Sequence, residues 1–199
     1  MFDFMFAKPA KQQLLKSITR FIFLLLILYA SGCKGKMKPV GYKNASGETI
    51  YQNAGRKQMP LRLPDGSELV MKDSTLIRLF SGFNGSNRKI FLQGRAMFTV
   101  HPDSARPFII HTGALRCMVM DTSVAIFTIA AEDSLNKGGE EVLLLTGTLR
   151  VMKSYPSKMD NEPILLRSGE MMMINKGIDL METEKLDSAE WKQSAYAND

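Results

Sequence analysis

Histidine and cysteine are almost absent from this chain, with two of each in 199 residues. His101 and His111 have no second ligand at HxH or HxxxH spacing, so no recognisable metal cluster is written here. Cys33 and Cys117 form neither a CxxC motif nor a framework of disulfides. No G-x-S-x-G elbow occurs, and no serine lies in a pattern that suggests an activated nucleophile. Gly82-Phe-Asn-Gly85 and Gly138-Gly139 lack the strand–loop–helix setting of a phosphate-binding loop. The carboxylates are scattered; Glu140 and Glu141 would face opposite sides of a strand and mark solvent rather than acid–base work. Met171-Met172-Met173 has the softness copper(I) prefers, but alternation in a strand splits the three, and methionine routinely fills cores. The expectation is therefore no enzyme, no metal and no cofactor.

Charge of one sign is not concentrated either. The net charge of +6 is partly in the first segment, where Lys8, Lys11, Lys16 and Arg20 stand against Asp3. Beyond it acids and bases are interspersed, and no basic run is interleaved with aromatics, which argues against a nucleic-acid surface. A run of about twenty apolar residues, enough for an untilted membrane span, is also missing. The longest is Phe21 to Ala30, ten residues.

That run suits the apolar region of a signal peptide, about 7–15 residues long. Ala30-Ser31-Gly32 ahead of Cys33 is similar to a bacterial lipoprotein box, in which the cysteine thiol takes a diacylglycerol. Ala30 stands where a larger aliphatic residue is usual. A short or tilted membrane anchor, with Cys33 an incidental thiol, is the alternative. Either reading puts the bulk of the chain outside the cytoplasm, in the cell envelope, facing the periplasm and anchored to a membrane. Cys117 shares a face with Leu115 and Val119 and reads as a core residue. Without acylation of Cys33, a Cys33–Cys117 disulfide is chemically allowed.

The organisation expected is a signal peptide or anchor helix over 1–33, a polar linker over 34–47, one all-β domain over 48–185 and a C-terminal tail over 186–199. Leu186 to Ala197 alone has helical composition. Within the domain, about a dozen short apolar runs alternate with turn signals such as Pro64-Asp65-Gly66-Ser67, Thr146-Gly147 and Ser168-Gly169. Many short strands suggest a solenoid-like roll or a sandwich. The centre is Leu92 to Thr112. Ala96, Phe98 and Val100 point one way and Phe108 and Ile110 share a face across His101-Pro102-Asp103-Ser104, which predicts a β-hairpin. Gly94 precedes its first strand and Pro107 opens its second.

These blocks occur in a specific order: Leu63-Pro-Asp-Gly-Ser67, then Leu92-x-Gly94-x-Ala96-x-Phe98-x-Val100, then Pro107-Phe108-Ile-Ile-His-Thr112. Val142-x-Leu144-x-x-Gly147-x-Leu149-x-Val151 and Leu166-x-Ser-Gly169-Glu170 follow. Together they resemble the periplasmic core of FecR-family proteins, iron-dicitrate-type sensors of cell-surface signalling. The resemblance implies an all-β core, and it makes Pro64, Asp65, Gly66, Gly94, Ala96, Phe98, Pro107, Phe108, Thr112, Gly147 and Gly169 structural markers. It also implies a protein partner, an envelope signalling component or outer-membrane receptor. The chain departs from the family pattern where Met120-Asp-Thr-Ser-Val-Ala125 replaces a Leu-Gly-Thr-Ser-Phe-Asn turn. Only 20 residues precede the apolar run, so anti-sigma output is expected from a separate chain. Two readings follow: a regulatory protein acting through protein contacts in sigma-factor and TonB-receptor signalling, or a lipoprotein structural or ligand-binding module.

Overall fold

Alternating apolar positions dominate from Leu61 to Ile174, and that period suits strands with one face buried. The computed structural model describes residues 41–55, 57–120, 125–131, 139–159 and 161–187. Every regular element among them is a β-strand. The expected N-terminal signal or anchor helix, Cys33, the turn at 121–124 and almost all of the expected C-terminal helix lie outside the described residues.

The chain deals its strands to two sheets, usually in pairs. β1 (Tyr42–Lys43) and β2 (Thr49–Asn53) enter an eight-stranded sheet, and β3 (Met59–Arg62) and β4 (Glu68–Met71) enter a seven-stranded one. β5 (Thr75–Leu79) and β6 (Arg88–Gln93) return to the first, and β7 (Arg95–Val100) crosses alone to the second. β8 (Phe108–His111) and β9 (Leu115–Val119) belong to the first, β10 (Ala125–Ala130) and β11 (Glu140–Thr146) to the second. β12 (Thr148–Lys153) and β13 (Ile164–Arg167) complete the first, β14 (Glu170–Asn175) and β15 (Leu180–Lys185) the second.

The orders are β1-β2-β5-β6-β8-β9-β12-β13 and β15-β14-β11-β10-β7-β4-β3, so both sheets have ends and neither closes into a barrel. Neighbours are antiparallel except β6 and β8, which run parallel because β7, the strand between them in sequence, is in the other sheet. The two sheets are thus built of antiparallel pairs with one parallel contact, rather than of stacked parallel coils.

This corrects the predicted hairpin. β7 pairs with β4 and β10, whereas β8 pairs with β6 and β9. Both strands have the alternation expected of them, but residues 101–107 carry the chain across the core instead of reversing it within one sheet. Alternation fixes which face is buried and says nothing about which neighbour bonds the edge.

One apolar interior serves both sheets. Ile77, Ile90, Ile110, Leu115 and Val151 come from the first and Met71, Phe98, Phe127, Val142 and Met172 from the second. Phe98 and Phe127 are directly opposite each other in the β7–β10 register and stack with ring centres 5.1 Å apart. Cys117 is buried in this interior, as its pattern predicted, and burial pushes its thiol well above the ordinary range. The methionine triplet splits as expected, with Met172 inside and Met173 exposed.

Candidate functional site

The residues that resembled a family motif converge on joints between the sheets. In the β3–β4 turn, Gly66 takes a positive φ of 86°, and the amide of Leu63 donates to Ser67 O at 2.8 Å. Pro64 is exposed at the corner. Asp65 turns inward: its carboxylate accepts from the Ser67 amide at 3.1 Å, the Ser67 hydroxyl at 2.9 Å and the Arg88 guanidinium at 3.1 Å.

The side chains of Asp65 and Arg88 are only 2% and 3% exposed. Arg88, at the start of β6, also donates to the carbonyls of His101 at 2.8 Å and Arg106 at 2.7 Å. Its guanidinium lies 5.5 Å from the ring centre of Phe108, and Phe83 meets that ring edge-on at 6.2 Å. One ion pair therefore ties the β3–β4 turn to the ends of β6, β7 and β8. Arg106 closes the outside of the joint on Asp103 at 2.7 Å, and this hydrogen bond holds the Asp103 carboxyl below its usual range. Buried charges survive when paired and fully bonded, so the arrangement is a fastening rather than a reactive centre.

A second joint uses Thr112 and Glu140. The Thr112 hydroxyl donates to Glu140 Oε2, and the Ala114 amide donates to Oε1 at 2.9 Å. Glu140 is 2% exposed, which overturns its reading as a solvent marker. It does face away from Glu141, as alternation requires, but its face is the interior one. A third joint centres on Asp179 in the β14–β15 turn, which accepts from Lys153 at 2.9 Å, Tyr155 at 3.0 Å, Ser157 at 2.7 Å and the Lys158 amide at 3.0 Å. Lys153 and then Ser157 hold the Asp179 carboxyl far below the ordinary range. Burial and the bond to Asp179 push the Tyr155 hydroxyl up.

The remaining markers are structural in the same sense. Gly94 links β6 to β7 at a φ of 90°, where an added Cβ would stand 2.9 Å from the Thr75 Cα. Thr75 donates its hydroxyl to Arg95 O at 2.8 Å across this crossing. Ala96, Phe98 and Phe108 are buried, and Pro107 is exposed just ahead of β8. The Gly147 amide donates to the Ser168 hydroxyl at 3.0 Å, and the Gly169 amide to Leu144 O at 2.8 Å. Arg88, Glu140 and Asp179 were not singled out from sequence as partners, because each partner is many residues away.

Among the described residues, no group of three His, Cys, Asp or Glu side chains is arranged to hold a metal ion. His101 is exposed in the connection after β7, and His111 lies edge-on to Phe80 at 5.7 Å.

Surfaces available to another molecule are the sheet ends and outer faces. β3 carries Pro60 at one end of its sheet, and β1 has two residues. β15 has six residues, no proline, and only Met181 partly buried. The Leu186 amide bonds Gly169 O, so by antiparallel parity Leu180, Glu182 and Glu184 face β14 with their main chains. Met181, Thr183 and Lys185 turn their N–H and C=O groups to the side of β15 that no strand among the described residues covers. Beside this edge, Glu141, Met173, Ile178, Leu180 and Glu182 line a groove of about 370 Å³.

Residues 51–150 match the FecR protein family. The fold is similar to two crystal structures of candidate anti-sigma factors from Parabacteroides distasonis ATCC 8503. One has a TM-score of 0.62 at 20% identity, covering 74% of this chain and 64% of that one. The other has a TM-score of 0.61 at 21% identity, covering 73% and 65%. At that identity the likeness speaks to the fold alone, and this chain spans just under two thirds of each structure. No curated protein matches the chain. The ordered motif blocks, the two-sheet fold they pin together and the match over half the sequence agree: the chain belongs to the FecR family.

Proposed function

We propose that this protein is an envelope regulator whose all-β domain works by protein–protein contact in sigma-factor and TonB-receptor signalling. In this reading residues 1–33 are a signal peptide, the Cys33 thiol carries a diacylglyceryl group, residues 34–47 are mainly tether, and residues 48–185 form the domain facing the periplasm. Residues 186–199 form a tail. FecR membership supports a regulatory role. The observation that carries contact as the mode of action is the division of labour among polar groups. Buried Asp65 and Glu140 and part-buried Asp179 are used in fastening the sheets, while β15 offers main-chain donors and acceptors along a side that no strand among the described residues covers. A partner strand can add there, with backbone bonds giving affinity and the groove of mixed polar and apolar side chains giving selectivity.

The test is a proline at the edge. Thr183→Pro removes an N–H that does not serve the β14 ladder, so the domain should still fold. Deleting the gene should shift a coherent set of sigma-dependent transcripts. The full chain should restore them and the Thr183→Pro chain should not. Unchanged transcripts on deletion would favour a structural or ligand-binding module instead.

A further inference from the structure

The outer face of the eight-stranded sheet holds an arrangement that the joints and the edge do not use. Register places Arg78, Phe91, His111 and Arg116 side by side on β5, β6, β8 and β9. At about 4.8 Å between strands the row is roughly 15 Å long. Lys89 and Arg150 lie on the same face in the next row, two residues along their strands. The Arg78 guanidinium is 5.0 Å from the ring centre of Phe91 and 5.4 Å from that of Phe80, so cation–π contact fixes its plane.

Carboxylates are scarce on this face. Arg78 meets Glu48 at 3.5 Å, and no ion pair links Lys89, Arg116 or Arg150 to an acid among the described residues. The Nε atoms of Arg78 and Arg116 are both buried without a hydrogen-bond partner. Arg116 and Lys89 also hold neighbouring His111 toward its neutral form, after burial.

We infer that this strip docks an acidic, aromatic-bearing peptide segment of a partner protein, carboxylates meeting Arg116, Lys89 and Arg150 and rings packing beside Phe91 and His111. A single small anion would satisfy one cation and leave the aromatic surface wet. A lipid surface favours projecting cations, whereas Arg78, His111 and Arg116 are half-buried. An extended chain repeats its same-face side chains about every 6.5–7 Å, which lets one segment reach several of these groups. This names the partner chemistry for the contact role proposed above and rests on that reading.

The test uses the full chain in neutral detergent and fluorescence anisotropy. The probes are a labelled decapeptide of alternating Glu and Tyr, and its Lys–Tyr counterpart. The Glu–Tyr peptide should bind at least about tenfold more tightly than the Lys–Tyr peptide. Lys89→Glu combined with Arg116→Glu should weaken it by at least about tenfold, with circular dichroism unchanged. Lys89→Glu with Arg150→Glu, two exposed positions, serves if the first pair fails to fold. Glu68→Lys, at an exposed acid of the seven-stranded sheet, should leave binding as it was. Equal binding of both peptides, or no loss in the reversal variants, would overturn the docking strip. So would full displacement of the peptide by phosphatidylglycerol vesicles, which would assign the face to a membrane. Failure here leaves the transcript test of the β15 edge standing, so the two proposals fail separately.

Discussion

The hydroxyl of Thr112 points into the interior and donates to the carboxylate of Glu140, which comes from the opposite sheet. Thr112→Val keeps the shape and removes this donor from a buried acceptor. The expected loss is about 1–3 kcal/mol in urea unfolding, with Thr112→Ser recovering most of it. An unchanged midpoint in Thr112→Val would mean that the bond contributes nothing to joining the sheets.

Arg88 is the more severe position. Arg88→Met strands the Asp65 carboxylate in a site 2% exposed and removes donors from the carbonyls of His101 and Arg106. Loss of one member of a buried pair costs about 3–5 kcal/mol. Asp65→Asn combined with Arg88→Met should cost less than the sum of the two single changes, because neither charge is then left alone. Strict additivity would contradict the pairing.

Gly94 is constrained by both conformation and space. Gly94→Ala brings a Cβ to 2.9 Å from Thr75 Cα at a φ of 90°. Destabilisation of more than about 1 kcal/mol is expected. Gly169→Ala has an equally unusual φ of 83° but open space around it, so it should cost less. The order of the two midpoints is the readout.

Acid should weaken the fold through several groups, among them Asp103, Asp179 and His111. The Asp179 carboxyl is lowered from an ordinary 3.8, so its contribution is complete above that value and fades as pH falls below it. His111 is lowered from 6.5 by burial, then Arg116 and Lys89, so the unfolded chain takes up its proton first. Its contribution is likewise present above 6.5 and lost as pH falls. Between pH 7.5 and 5.5, Tm should drop more in the natural chain than in His111→Gln. Parallel profiles would remove His111 from the account.

Membrane attachment is tested at Cys33. The account expects an N-terminal fragment beginning at Cys33 with a diacylglyceryl mass, and release or mislocalisation of Cys33→Ala. An unmodified chain in the membrane fraction, unaffected by that change, would instead support a helix anchor.

Strand positions were largely legible because burial on one face writes itself into every second residue, as in Ala96, Phe98 and Val100. β7 begins just after Gly94 and ends just before His101, as the pattern predicts. The edge strand β15 runs from Leu180 to Lys185 and is hard to read from sequence, since exposed Glu182 and Glu184 carry no apolar signal. β1 and β2 were not singled out, although Thr49–Asn53 includes Thr, Ile and Tyr, residues at home in strands. Pairing was not legible. The hairpin expected between β7 and β8 failed because neither strand records which sheet it will join. The joints were hidden for a related reason: Arg88 looks like any charged strand residue until Asp65, 23 positions earlier, is brought beside it. The cation–aromatic strip is likewise assembled from separate strands, and only register reveals it.

The central claim, action by contact with another envelope protein, is tested most directly by crosslinking in intact cells. A photoreactive residue at Thr183 or at Lys89 should yield one defined covalent adduct, identified by mass spectrometry as an envelope signalling component or outer-membrane receptor. Thr183→Pro should abolish contact at the β15 edge. Adducts absent from both surfaces, or formed only with the cell wall or lipid, would contradict the account.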